Sequence, residues 1–186
     1  PDSDRIPVNI PGVAALHRGI EIDFAYRPFK NLTIEGLASV GDWIWNSGDT
    51  VEVVLPNQVY SYDFDATGVH VGDAAQLQFG GLVRYSPIKG SYIKLRATYF
   101  GRNFANFDPE SLRGPDVRRD SWQMPDYTLF DLHLGYRFKV RGVQLALRAS
   151  IINLFDTIYI SDARNNDEFN SPSLSAFDSK SAYLFV

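Results

Sequence analysis

An alternation of apolar and polar side chains with a period of two residues runs through nearly the whole sequence. In residues 128–138, TLFDLHLGYRF, the apolar residues Leu132, Leu134, Tyr136 and Phe138 are separated by polar residues or glycine. Because successive side chains of a β-strand point to opposite faces, this segment predicts a strand with one apolar and one charged face. No helical period of comparable length is present in the sequence, which therefore predicts an all-β fold.

Six segments carry the alternation, and the connections between them are alternately short and long. The predicted strands cover residues 16–27, 32–45, 75–85, 92–104, 128–138 and 143–154. The short connections PFKN, SPIKG and KVRG contain residues that favour tight turns. The long connections are polar, and the first of them contains a predicted short hairpin at residues 51–62. The repeating unit is a hairpin followed by a long loop.

The two faces of the predicted strands differ in charge. On five strands one face carries no charge and consists of Ile20, Ile22, Phe24, Tyr26, Leu77, Phe79, Gly81, Val83, Tyr85, Ile93, Leu95, Ala97, Tyr99, Leu132, Leu134, Tyr136, Phe138, Val143, Leu145, Leu147, Ala149 and Ile151. The opposite face carries acids and bases, whereas the second strand is less regular and is left unassigned. From the charged face we take the candidate lumen-facing, solute-binding residues Glu21, Asp23, Arg84, Lys94, Arg96, Asp131, Arg137 and Arg148.

Two architectures contain strands of this kind. In a soluble β-sandwich the apolar faces pack on each other, whereas in a transmembrane barrel the apolar face contacts lipid and the charged face lines the lumen. The predicted strands have roughly ten to fourteen residues, which exceeds the usual five or six of soluble strands and suffices to cross a bilayer. Alternating short turns and long loops are typical of outer-membrane barrels. We therefore predict a segment of an antiparallel up-and-down transmembrane β-barrel.

Composition excludes several other classes. The net charge of −4 and the lack of a basic stripe argue against nucleic acid as a partner. There is no cysteine for a disulfide or a thiolate site, and no run of apolar residues is long enough for a transmembrane helix. No catalytic, cofactor-binding or metal-binding motif is recognised, so we expect no enzymatic activity, no cofactor and no metal site. The sequence begins PDSDRIP, and we expect an internal fragment or a processed product.

The long connections are interpreted as polar outer loops. Trp43, Trp45 and Trp122 lie at strand ends or in these loops, where interfacial anchoring is expected of tryptophan. The segment RGPDVRRDS brings Arg113 and two further arginines, Arg118 and Arg119, together with acids. It is either a mixed-charge loop or a contact for an anionic ligand or a lipopolysaccharide phosphate.

Two parts of the sequence resemble a known family. Residues 129–167, in which NLFD is followed by TIYISDA, resemble the C-terminal part of the barrel of TonB-dependent outer-membrane receptors, and residues 12–43 resemble the same barrel. The resemblance implies a barrel of about 22 strands with periplasmic short turns and extracellular long loops. Residues 1–186 would then be its C-terminal part, with six complete strands. The plug, the N-terminal strands and the last strand would lie outside, and SAYLFV would stand where the last strand begins.

The family also implies a function. Such receptors take up a scarce solute, which is a siderophore, vitamin, oligosaccharide or peptide, when TonB transmits energy from the inner-membrane proton-motive force to the plug. The implied location is the outer membrane of a Gram-negative bacterium. The implied partners are membrane lipid and lipopolysaccharide, TonB through a region N-terminal to this sequence, and, as a further candidate, a surface lipoprotein.

Two alternatives remain open from the sequence. The first is a soluble or surface-anchored β-sandwich that binds glycans, which short strands and irregular loop lengths would indicate. The second is a passive porin or adhesin barrel, from which only the presence of a plug distinguishes the transporter.

Overall fold

The computed structural model describes residues 13–55, 58–113 and 120–163. Within these ranges the chain forms ten β-strands and one short 3₁₀ helix, Pro109–Leu112. The strands are β1 (Ala15–Phe29), β2 (Leu32–Trp45), β3 (Gly48–Leu55), β4 (Gln58–Asp65), β5 (Leu77–Tyr85), β6 (Ser91–Gly101), β7 (Asn103–Phe104), β8 (Gln123–Met124), β9 (Tyr127–Val140) and β10 (Val143–Ile151). The predicted start of a last strand at residues 181–186 lies outside the described residues.

Six strands form one antiparallel sheet, which we call the main sheet. Its order is β1-β2-β5-β6-β9-β10, so each strand pairs with the next main-sheet strand along the chain. The short turns join β1 to β2, β5 to β6 and β9 to β10. β3 pairs with β4, and β7 pairs with β8, within the long connections. The all-β, antiparallel, up-and-down fold predicted from the sequence is confirmed, and β1 and β10 form the edges of the sheet.

Three predicted strand ends extend beyond the strands of the structure, whereas the first and fifth strands run two residues further than predicted, to Phe29 and Val140. The third predicted strand begins at Leu77 rather than at residue 75, and the fourth ends at Gly101. Arg102 follows with a positive φ of 50° and redirects the chain into β7. The sixth ends at Ile151 rather than at residue 154, because Asn153 also has a positive φ, of 53°, and begins a turn. Positive φ is uncommon for non-glycine residues and interrupts an extended strand.

Strand register gives the main sheet one apolar face. Ile22 lies opposite Ala38, Ala38 opposite Phe79, and Phe79 opposite Tyr99, so these side chains share a face. Large apolar side chains on this face are exposed, including Ile20 at 69% and Leu147 at 63% of their accessible surface. Within the described residues no second sheet covers the apolar face. The sandwich alternative requires such a cover.

The apolar face is not free of charge at one end. Arg18 belongs to the same side-chain phase as Ile20 and lies opposite Asp42 of β2, so the expectation of a charge-free face was wrong there. Arg18 Nε donates a hydrogen bond to Asp42 Oδ2 at 2.8 Å. The pair lies near the long-loop ends of β1 and β2. The cost of a charge on a lipid-facing surface falls toward the membrane interface, and an ion pair lowers it further.

The described buried hydrophobic residues all lie outside the main sheet. Two clusters contain most of them, and both involve the long connections, which we call the first loop (residues 46–76), the second loop (102–126) and the third loop (from 152). The first cluster consists of Val51, Phe64, Ala66, Val69 and Leu112, and the second of Ala105, Met124, Ile160 and Ala163. The interpretation of the loops as simply polar was therefore wrong.

The tryptophans follow the loop clusters. Trp45 packs against the first cluster and Trp122 against the second. Trp43 stacks on His17, with the two ring centroids 5.2 Å apart. Both residues lie on the face of the main sheet opposite the apolar face. These contacts are with protein side chains, and interfacial anchoring of the tryptophans stays a prediction. Aromatic side chains of the apolar face do gather near the short turns, as at Tyr26, Tyr85 and Tyr136.

Candidate functional site

The candidate lumen-facing residues all lie on the face of the main sheet opposite the apolar face, which we call the charged face. Glu21 and Asp23 of β1 lie opposite Ser39 and Leu37 of β2. Further along the sheet, the directly opposite residues include the pairs Arg84 and Lys94, Arg96 and Asp131, Gly135 and Arg148, and Arg137 and Ala146. The register therefore brings the eight residues to one surface, although contact with a solute remains a prediction for each of them.

Asp131 is the most enclosed charged group of this face, with only 5% of its surface accessible. Its Oδ2 accepts a hydrogen bond from Arg96 Nε at 2.9 Å, and its Oδ1 accepts one from the backbone N–H of Asn153 at 3.0 Å. Asn153 in turn exchanges two hydrogen bonds with Thr157. One carboxylate thus fixes the Arg96 guanidinium and holds the NLFD turn against β9.

The remaining charges are divided between the two halves of the sheet. β1 and β2 contribute the acids Glu21, Asp23 and Glu35 to the charged face, and the base Arg27 of β1 lies at the register break that follows Tyr26. The strands from β5 to β10 contribute the bases Arg84, Lys94, Arg96, Arg137, Lys139 and Arg148, against which Asp131 is the single acid in the described part of these strands. The charged face consequently has an acidic half and a basic half.

The basic half contains like charges that face each other. Arg84 and Lys94 are direct cross-strand partners, an arrangement that destabilises a sheet unless another group compensates. The Arg84 guanidinium lies 4.7 Å from the centroid of the Tyr92 ring, which provides partial compensation. Among the described residues, neither Arg84 nor Lys94 forms an ion pair.

At the long-loop end, Asp42 and His70 organise a polar network. Arg102 Nη2 lies 3.5 Å and His70 Nε2 3.8 Å from Asp42 Oδ1. His70 Nδ1 lies 2.7 Å from Asp120 Oδ2, and the imidazole stacks on Phe104 with 4.1 Å between centroids. In the sequence His70 looks isolated, because its partners are far away along the chain.

Two carboxylates meet between the first and third loops. Asn106 Nδ2 donates to Asp73 Oδ2 at 2.6 Å, and the Asn106 backbone N–H donates to Ala163 O at 2.8 Å. Asp162 is exposed, but partial desolvation of its carboxyl, followed by the negative charge of Asp73 and a hydrogen bond to it, raises its pKa above the ordinary value. The sequence gives no signal for this pair, because the two residues are almost ninety positions apart.

The arginine-rich loop segment is described only in part. The Arg113 guanidinium lies 3.5 Å from the centroid of the Tyr62 ring, between the second loop and β4. Arg118 and Arg119 lie outside the described residues, so the hypothesis of an anion contact there stays a prediction.

These surfaces consist mainly of charged and polar side chains. In the described ranges, no group of three or more His, Asp or Glu side chains could hold a metal ion. No helix in those same ranges is long and apolar enough to span a membrane. The charged face is a broad surface of acidic and basic side chains, and the packed loops lie at the long-loop end of its strands. Such a surface attracts and orients charged solutes.

Comparison with known proteins gives one finding. A family model described as "TonB dependent receptor-like, beta-barrel" matches residues 1–154, a range that includes all ten described strands. No curated protein matches the chain, and no solved structure matches it.

Proposed function

The chain belongs to the TonB-dependent receptor-like β-barrel family, and on that premise we propose that it forms part of the wall of an outer-membrane transporter. The observation that carries this proposal is the exposed apolar face of the main sheet, with Ile20 and Leu147 each more than 60% accessible. In water such a face would be an unfavourable surface, whereas in a bilayer it contacts hydrocarbon. The charged face then lines the lumen.

The connections give the proposed orientation. In outer-membrane barrels the short turns are periplasmic and the long loops extracellular. The short turns of this chain lie at one end of the strands of the main sheet, and the packed loops lie at the opposite end. Tyr26, Tyr85 and Tyr136 would then form part of the periplasmic aromatic girdle.

The barrel is completed by further strands on both sides. Among the described residues, β1 and β10 each pair with one strand of the main sheet, so each has one row of backbone groups that a further strand could pair with. Six strands are fewer than the eight or so of the smallest closed barrels. We therefore propose that residues 1–186 are the C-terminal part of a larger barrel domain.

The proposed mechanism is energy-coupled uptake of a scarce solute. Extracellular loops and residues of the charged face bind the solute, which is a siderophore, vitamin, oligosaccharide or peptide. TonB, contacting a region N-terminal to this chain, supplies the energy to open the lumen. The proposed surroundings are outer-membrane lipid and lipopolysaccharide of a Gram-negative bacterium, with a surface lipoprotein as a further candidate partner.

Growth on single limiting nutrients tests this function. Wild-type cells are compared with cells that lack the receptor or TonB, using ferric siderophores, vitamins, oligosaccharides and peptides in turn. We expect growth on one nutrient class to fail in both mutant strains. Reversal of a lumen charge by Lys94→Glu should slow the same uptake, with an unchanged amount of receptor in the outer membrane.

Two results would argue against the proposal. Loss of growth without the receptor but not without TonB would indicate the passive porin alternative. A chain found in a soluble fraction would return the interpretation to a β-sandwich module.

A further inference from the structure

A polar pocket of about 470 Å³ lies where the charged face meets the short turns. Four cationic side chains line it: Lys30 from the β1–β2 turn, Arg84 from β5, Lys89 from the β5–β6 turn and Arg137 from β9. No carboxylate is among its lining residues in the part of the chain that the structure describes. We call it the basic pocket.

The walls of the basic pocket are tied together through the backbone. The Ser86 N–H donates a hydrogen bond to Asn31 O at 2.8 Å, which joins the first two short turns. The Arg137 N–H donates to Gly90 O at 2.8 Å, which joins the second turn to β9. Gly90 has a φ of +89°, and a Cβ there would lie 2.3 Å from Arg137 O, so this close approach requires glycine. These backbone hydrogen bonds hold the two turns and β9 together, so the four cationic side chains extend from a connected backbone.

The cations of the pocket have no anionic partner among the residues that the structure describes. Within the described residues, none of Lys30, Arg84, Lys89 and Arg137 forms an ion pair. Lys94, the direct cross-strand partner of Arg84, adds a fifth positive charge beside the pocket. Repulsion among fixed like charges is a cost that a bound anion would remove.

We propose that the basic pocket is a binding site for a small multivalent oxyanion that carries phosphate or clustered carboxylate groups. Arg84 and Arg137 present guanidinium groups, which match the geometry of both anions through paired N–H donors. Ser86 also lines the pocket, and a hydroxyl group can donate to such oxygens, whereas the Ser91 hydroxyl already donates to Ile88 O at 2.9 Å. The volume lies in the range of small-molecule sites.

The position of the pocket selects a soluble anion over a lipid headgroup. Arg84 and Arg137 lie on the charged face, whereas the surface that would contact lipid is the opposite one. A lipid phosphate bound in the pocket would have to place its acyl chains along the charged face. The site goes beyond the proposed uptake function, since it predicts binding by the protein itself whether or not transport occurs.

Calorimetry on the complete protein, purified in detergent, tests this site with inorganic pyrophosphate and citrate as probes and sucrose as the neutral comparison. We expect saturable binding of at least one anion, no binding of sucrose, and at least tenfold weaker binding in Arg84→Gln and Arg137→Gln. Lys139→Gln is the matched control, because it removes an equal charge from the charged face of β9 outside the pocket, and it should change Kd less than twofold. Arg137→Lys, which keeps the charge, should retain more binding than Arg137→Gln.

Each outcome decides the proposal. Equal weakening by Lys139→Gln would show a diffuse electrostatic attraction and overturn the site, and absence of saturable binding would overturn it as well. Circular dichroism of each variant confirms that the sheet is formed. Because binding is measured on purified protein, a failure here is distinguishable from a failure of uptake in cells.

Discussion

The main sheet and the loop clusters bury their apolar side chains in opposite ways. On the sheet, Ile20, Phe24 and Leu147 are 57–69% exposed, and no part of the described protein covers them. In the loops, Val51, Leu112 and Met124 are at most 2% exposed. The loops therefore contain the only hydrophobic core in the described residues, and the sheet depends on its surroundings to cover its apolar face. Regular secondary structure and hydrophobic core are separated in this protein.

This difference indicates which solvent each region is built for. A loop that stands in water must cover its own apolar residues and pair its polar groups, which the two clusters and the His70–Asp120 contact accomplish. A sheet in lipid needs no such cover, since hydrocarbon replaces the second layer. Substitutions that create a cavity should thus affect the two regions unequally.

We expect the largest effect from Leu112→Ala. Leu112 belongs to the second loop and packs in the first cluster. Leu112 is 2% exposed and packs among Val51, Phe64 and Val69, so truncation leaves a cavity that costs about 2–5 kcal/mol. Hydrogen exchange in detergent or lipid should show faster exchange at Phe64 and Val69 and unchanged exchange in β9. The matched control is Leu147→Ala on the apolar face, which should cost much less because lipid fills the space.

A cost of similar size for Leu147→Ala would contradict the comparison. It would mean that the apolar face is covered by protein rather than by lipid.

A charge on the apolar face should have the next largest effect. Leu147→Arg is expected to destabilise the folded protein in a bilayer by about 2–4 kcal/mol, the cost of a lipid-facing arginine near the midplane. Ala146→Arg, at the adjacent residue on the charged face, is the matched control. Its position opposite Arg137 adds a like-charge cost, which should be smaller than the cost of a lipid-facing arginine. Urea titration of refolding into vesicles measures both variants. Greater damage from Ala146→Arg would invert the assignment of the two faces.

The smallest effect is expected at Asp162, where the raised pKa makes loop stability depend on pH. A carboxyl whose pKa is higher in the folded state lowers stability as pH rises through its ordinary value toward the folded value, and the penalty persists above that. Asp162→Asn should therefore stabilise the loops at neutral pH. Since Asp162 is exposed, the gain should be below about 1 kcal/mol.

Thermal unfolding at pH 7 and at pH 3 tests the expected change at Asp162. The gain should be present at pH 7 and absent at the acidic value, where both states are protonated. Asp156→Asn removes an equal charge from the same loop and is the control. A gain that persists at low pH would rule out the proposed charge repulsion with Asp73.

The same contrast explains how far the sequence could predict the structure. Alternation is a local property, so residues such as Leu132 and Asp131 could be assigned to faces before their strand partners were known, and the antiparallel order followed from the short turns. Arg18 departs from the charge-free phase because Asp42 of the neighbouring strand pairs with it, and alternation along a single strand does not show such a partner. The end of β10 was misplaced because Asn153 is held by Asp131, from a neighbouring strand.

The loop clusters could not be predicted by such reasoning. Phe64 and Leu112 are nearly fifty positions apart, and neither belongs to a periodic pattern from which its burial could be predicted. The basic pocket is a similar case, because its cations come from two separate turns and two strands. Contacts of this kind depend on which loops the sheet order places side by side.

The ties among the three loops have a mechanical consequence. His70 links the first loop to the second, Asn106 links the second to the third, and Asp73 meets Asp162 of the third. Displacement of any one loop would open an apolar cluster to water and break a charged contact at the same time. We therefore expect the described parts of the three loops to move together rather than independently.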